Sequence, residues 1–157
     1  MCLVVYLGVE RAFDTLPSPE PETFGLEPNV FPVPLALSSK AVVYSVREWG
    51  GNEWWCACDL HMNQMHLQEE PPNQTTEAAY AFLRSVIADA LSDNAQPVLF
   101  SCWDGDQKLR TRVERKIVVS DLRPETCLFD DIDRVGAVGP SPSVYWFGQE
   151  QSPDFLK

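Results

Sequence analysis

Two cysteines one residue apart, Cys56 and Cys58, stand in the run Trp54-Trp55-Cys56-Ala57-Cys58-Asp59-Leu60. A thiolate is a ligand for soft metals and, where its pKa is lowered, a nucleophile. Side chains alternate along an extended segment, so Cys56 and Cys58 would share one face there, together with Trp54 and Leu60. Two sulfurs do not complete a tetrahedral site, which takes four thiolate or imidazole ligands at about 2.0–2.3 Å. Three other thiols are scattered along the chain, Cys2, Cys102 and Cys127. In the apolar run 98–103, Cys102 falls on the face of Val98 and Phe100. In the first apolar run, Cys2 falls on the face of Val4 and Tyr6. If the segments 3–9, 53–60 and 98–103 are neighbours in one sheet, Cys2, Cys56, Cys58 and Cys102 converge, and zinc or another soft metal is the expected occupant. His61 and His66 add a local variant, C-x-C-x2-H-x4-H. The competing reading is inert packing, because cysteine is among the most buried residue types.

Nucleophilic chemistry has two routes in this sequence. Removal of Met1 would make Cys2 terminal, with its own α-amine as base, the arrangement of a thiol-dependent hydrolase. A Cys–His pair using His61 or His66 is the other, although no residue order marks one. Carboxylates also cluster, Asp104 with Asp106 and Asp130 with Asp131 and Asp133. Hard cations favour such oxygen sets. Turn chemistry accounts for the first pair and surface exposure for the second. The basic run Lys108, Arg110, Arg112, Arg115 and Lys116 reads as a solvated strand face or as partners for nearby acids. Asn73-Gln74-Thr75 matches a glycosylation sequon, which matters only in a secreted chain.

The totals bound these options. The chain has 157 residues, 45% of them hydrophobic, which is enough for one domain with its own core. Acidic residues outnumber basic ones by 23 to 12, a net charge of −11. That balance opposes a phosphate backbone, so no nucleic-acid partner is expected. It suits an acidic protein–protein interaction module of inhibitor or immunity type. No apolar run approaches the roughly 20 residues of a membrane helix, and the first residues lack the basic region of a signal peptide. A reducing cytosol is the expected compartment, where an odd number of cysteines serves as free thiols or ligands rather than as structural disulfides.

The elements that would position the thiols follow from periodicity. Residues 3–9, 41–46, 53–60, 98–103 and 143–147 read as strands, with 117–119 strand-like. Gly50-Gly51-Asn52 would join 41–46 to 53–60 as a hairpin, and Asp104-Gly105 is a second hairpin signal. Apolar residues Ala79, Phe82, Leu83, Val86, Ile87, Ala90 and Leu91 recur at helical spacing, predicting one helix over 75–93 capped by Thr75 or Thr76. Six of thirteen prolines fall in 16–34, which predicts a long surface loop. Residues 120–125 read as a turn or a single helical turn, and 149–157 as a frayed tail. The expectation is a single α+β domain spanning 1–157: a mostly antiparallel sheet of about five to six strands with one principal helix packed on it.

Met1-Cys2 before an apolar strand, Cys56-x-Cys58 after a Val-Val-Tyr strand, and Cys102-Trp103-Asp104-Gly105-Asp106 after a helix together form a pattern. It resembles that of a group of small bacterial proteins with no known activity. In that group the middle motif tends to be Cys-Gly-Cys-Gly, where this chain has Cys-Ala-Cys-Asp. The resemblance covers residues 1–106 loosely and implies no activity. It singles out Cys2, Cys56, Cys58 and Cys102 together and leaves Cys127 outside the set. The expectation is therefore a cysteine-cluster metal-binding domain rather than an enzyme.

Overall fold

The computed structural model describes residues 3–15, 24–28, 33–48, 57, 60, 67–68, 70–111, 113–129 and 142–148. Six strands form one sheet: β1 (Leu3–Val9), β2 (Phe24–Glu27), β3 (Val42–Glu48), β4 (Val98–Trp103), β5 (Val113–Ile117) and β6 (Ser143–Phe147). Their spatial order is β2-β3-β1-β4-β6-β5. Every neighbouring pair is antiparallel except β5 with β6, which is parallel. The principal helix, α1 (Gln74–Ser92), packs on one face, which makes the domain α+β.

β1 is buried at all seven positions because it runs through the middle of the sheet, with β3 on one side and β4 on the other. Its odd-numbered residues, Leu3, Val5, Leu7 and Val9, join the core under α1. Val4 and Tyr6 join a second core on the opposite face, with Leu37, Val43, Val98, Phe100, Cys102 and Val144. A strand buried on both faces reads as a continuous apolar run, and this one does.

α1 begins slightly earlier than the threonines suggest. Asn73 is the cap, its side chain accepting from Thr76 N at 2.8 Å. The buried stripe includes Ala79, Leu83, Val86, Ile87 and Ala90, as the spacing predicts, and also Tyr80. Tyr80 is tolerated inside because its hydroxyl donates to the Leu60 carbonyl at 2.9 Å. Its ring lies 6.0 Å from Phe129, which stands edge-on to Tyr145 at 5.6 Å.

Three local expectations are corrected. The proline-rich segment 16–34 contains a strand, β2, whose Phe24, Gly25 and Leu26 are buried against β3 and the helix-side core. The strand expected over 53–60 does not reach its end. Ala57 is not in a strand, and Leu60 N donates to Ala57 O at 3.0 Å in a tight turn; the rest of that segment and its Gly50-Gly51-Asn52 hairpin turn lie outside the described residues. Asp104-Gly105 does form a turn, with Gly105 at φ 101° and Asp106 N donating to Trp103 O at 3.0 Å, but no hairpin follows. The strand beside β4 is β6, not β5. The slot next to β4 is covered on both faces, so it takes the apolar Ser143–Phe147. The charged Val113–Ile117, with Glu114, Arg115 and Lys116 exposed, takes the sheet edge, where charge discourages further pairing. Residues 119–121 and 124–126 are single 3-10 turns, as the 120–125 reading allows.

Candidate thiol site

Cys102 sits on β4 directly opposite Val4 of β1, and the next pair along is Leu3 with Trp103. Antiparallel pairing therefore brings the segment that follows Cys2 against the segment that carries Cys102. At the same end, Ala57 N donates to Leu3 O at 3.2 Å. β3 pairs with β1 only from Val5 onward, so the Leu3 carbonyl is left for Ala57, the residue between Cys56 and Cys58. Ala57 and Leu60 are fully buried in the core under α1, and Leu60 is held there by Tyr80. Sequence neighbours of all four predicted cysteines thus meet at one end of the sheet.

The Cys102 side chain is fully buried in the second core, on the face away from α1 and among Val4, Tyr6 and Phe100. The faces expected for this strand and for Val4 and Tyr6 are those found. The rings of Tyr6 and Phe100 stack at 6.3 Å beside it. Burial pushes the Cys102 thiol up to about 12, and the nearby charges of Asp106 and Asp104 push in the same direction. At neutral pH, without a metal, Cys102 is a neutral thiol and not a nucleophile.

The turn after β4 is fixed from below by Gln107. This buried amide donates from Nε2 to the Tyr6 hydroxyl at 3.2 Å and to Asp104 Oδ1 at 3.1 Å. Its Oε1 accepts from Gly105 N at 3.0 Å. Burial also raises the Tyr6 pKa, against the lowering effect of the Gln107 hydrogen bond. Asp104, expected to serve turn chemistry, does so. Gln107 escaped the sequence reading because a single polar residue after a turn has no periodicity to betray it. Its partner Tyr6 is a hundred residues away in the chain, and only the β1–β4 register reveals the contact.

Cys127 is buried elsewhere, at φ 47° just past the 3-10 turn Pro124–Thr126, next to Leu128 and Phe129 of the helix-side core. Cys2, Cys56, Cys58, His61, His66, Arg112 and the acidic group Asp130, Asp131 and Asp133 lie outside the described residues. Lys108, Arg110, Arg115 and Lys116 are exposed. Among the described residues, no group of three or more His, Cys, Asp and Glu side chains is placed to hold a metal ion, and no helix is long and apolar enough to cross a membrane. In comparisons with known proteins, no family matches the chain, and neither the curated proteins nor the solved structures contain a match.

Proposed function

We propose that this chain is a metal-binding domain in which Cys2, Cys56, Cys58 and Cys102 hold zinc or another soft metal at the Leu3–Trp103 end of the sheet. The observation that supports this reading is the meeting at Leu3. Its partner in the sheet is Trp103, next to Cys102, and its carbonyl accepts from Ala57, between Cys56 and Cys58. The buried Cys102 thiol keeps its proton at neutral pH, and a divalent ion beside it would supply the positive charge that favours the thiolate. Asp104 and Asp106, which disfavour the bare thiolate, favour a cation in the same place. The resemblance to small bacterial proteins with the same four cysteines, and a reducing cytosol in which thiols stay reduced, are consistent with this reading.

With four sulfurs bound, the site is closed and structural. With three, one coordination position is open to water or substrate. Metal analysis of protein purified under reducing conditions tests the reading. The expected result is one zinc per chain, lost in Cys56→Ser and in Cys102→Ser and retained in Cys127→Ser. Wild type that is folded yet metal-free after incubation with zinc under reducing conditions, or Cys56→Ser that keeps its zinc, contradicts it.

A further inference from the structure

Among the described residues, the large apolar side chains left exposed are Val33, Leu35, Leu109 and Trp146. All four belong to the side of the sheet away from α1. The 3-10 turn Leu35–Leu37 lies on that side, because Leu37 and Ala36 pack into the second core with Val4, Tyr6 and Phe100. Leu35 N donates to the Gln107 carbonyl at 3.2 Å, and Gln107 is held to the same core through the Tyr6 hydroxyl. That bond joins the two segments that carry Val33, Leu35 and Leu109. Pro34 and Leu37 turn inward, and Val33 and Leu35 turn outward. Trp146 is two residues along β6 from Val144, a member of the second core, so it shares this face farther along the sheet. Apolar residues exposed singly need no explanation, but their collection on one face marks a contact surface.

The charges on this face narrow the partner. Lys108 and Arg110 flank Leu109 and are exposed, and Lys116 is the register partner of Trp146. The ion pairs among the described residues, Arg11–Asp93, Lys40–Glu10 and Arg47–Glu27, use none of these three cations. Residues 104–116 hold five of the chain's twelve basic side chains against three acidic ones, although the whole chain carries −11. The exposed side of α1, by contrast, presents Glu77 and Asp89. We infer that the face away from α1 docks an acidic segment with apolar side chains, contributed by a partner protein. Leu35 and Leu109 supply the apolar area, and Lys108 and Arg110 take the carboxylates. Other occupants match the charges less well. A second copy presenting the same face sets cations against cations. An anionic membrane is flat and extended, so it meets the repulsive field of the whole chain and not only this patch.

Two synthetic peptides test this, one built of glutamate and leucine and one with lysine in place of every glutamate. Each is titrated into the full chain and followed through its backbone amides in nuclear magnetic resonance spectra. The glutamate peptide should give saturable shifts at Leu35 and Leu109, and should bind about tenfold or more tightly than the lysine peptide, a margin that shrinks as salt is added. Lys108→Glu with Arg110→Glu, and separately Leu35→Ser with Leu109→Ser, should each weaken the glutamate peptide about tenfold. These positions are exposed, so the remaining spectrum should stay that of the wild type. Equal binding of the two peptides, shifts confined to the α1 side, or double variants that bind like wild type overturns the assignment. So does tighter binding to phosphatidylserine vesicles, or a dimer that the leucine variants dissociate.

Discussion

Cys102 shows how one residue's surroundings decide its chemistry. Its thiol is fully buried, and burial first, then the carboxylates of Asp106 and Asp104, push it from the ordinary value near 9 up to about 12. In the metal-free unfolded chain the thiol ionises around pH 9, while in the fold it stays protonated. The folded state therefore holds more protons between those values, and its stability falls as pH rises through that window. Chemical denaturation of metal-free protein at pH 8 to 11 should show a decline that is shallower in Cys102→Val, by up to about 1.4 kcal/mol per pH unit. Equal slopes for the two proteins would remove the assignment. The sequence made the face of Cys102 legible, since Val98, Phe100 and Cys102 alternate and the structure keeps them together. It could not show that Gln107 and Tyr6 meet beside it. That contact depends on the pairing of two strands far apart in the chain.

Among the elements, β1 was legible over its whole length, because an uninterrupted apolar run of that size suits only a strand buried on both faces. β4, β6 and α1 were similarly marked by alternation or by the three-and-four spacing. β2 was hidden because prolines on both sides of Phe24–Glu27 imply irregular chain, while its four residues pair with β3 all the same. The place of β5 was hidden for a different reason. A turn signal says that the chain reverses, not which strand receives it, and relative apolarity gave the slot beside β4 to β6. Gly8 in β1 marks a close approach that the sequence does not announce. A Cβ there would lie 2.7 Å from Lys40 Cγ and 3.1 Å from Leu37 Cδ2. Gly8→Ala should therefore destabilise the domain by about 1–3 kcal/mol in chemical denaturation, despite alanine's better strand entropy. It should also loosen the Lys40–Glu10 pair. A variant as stable as wild type would show that the Lys40 stem is not held where it is seen.

For the molecule as a whole, the excess of 23 acidic over 12 basic side chains is a cost carried by the folded state, since compaction brings like charges together. Raising ionic strength from low to about 0.3 M should screen it and lift the melting temperature, by roughly 2–4 °C for each 1 kcal/mol recovered. A melting temperature that falls with salt would mean that the ion pairs Lys40–Glu10, Arg47–Glu27 and Arg11–Asp93 outweigh the net repulsion. The sheet does more than enclose two cores. Its antiparallel register places sequence neighbours of the four thiols at one end. Cobalt(II) titration of the metal-free protein tests that site most directly, because sulfur-to-cobalt charge transfer reports thiolate ligands and the visible bands report tetrahedral geometry. The account predicts one equivalent bound with both signatures, each lost in Cys102→Ser. Cobalt that stays hydrated and octahedral in the folded wild-type protein would contradict it.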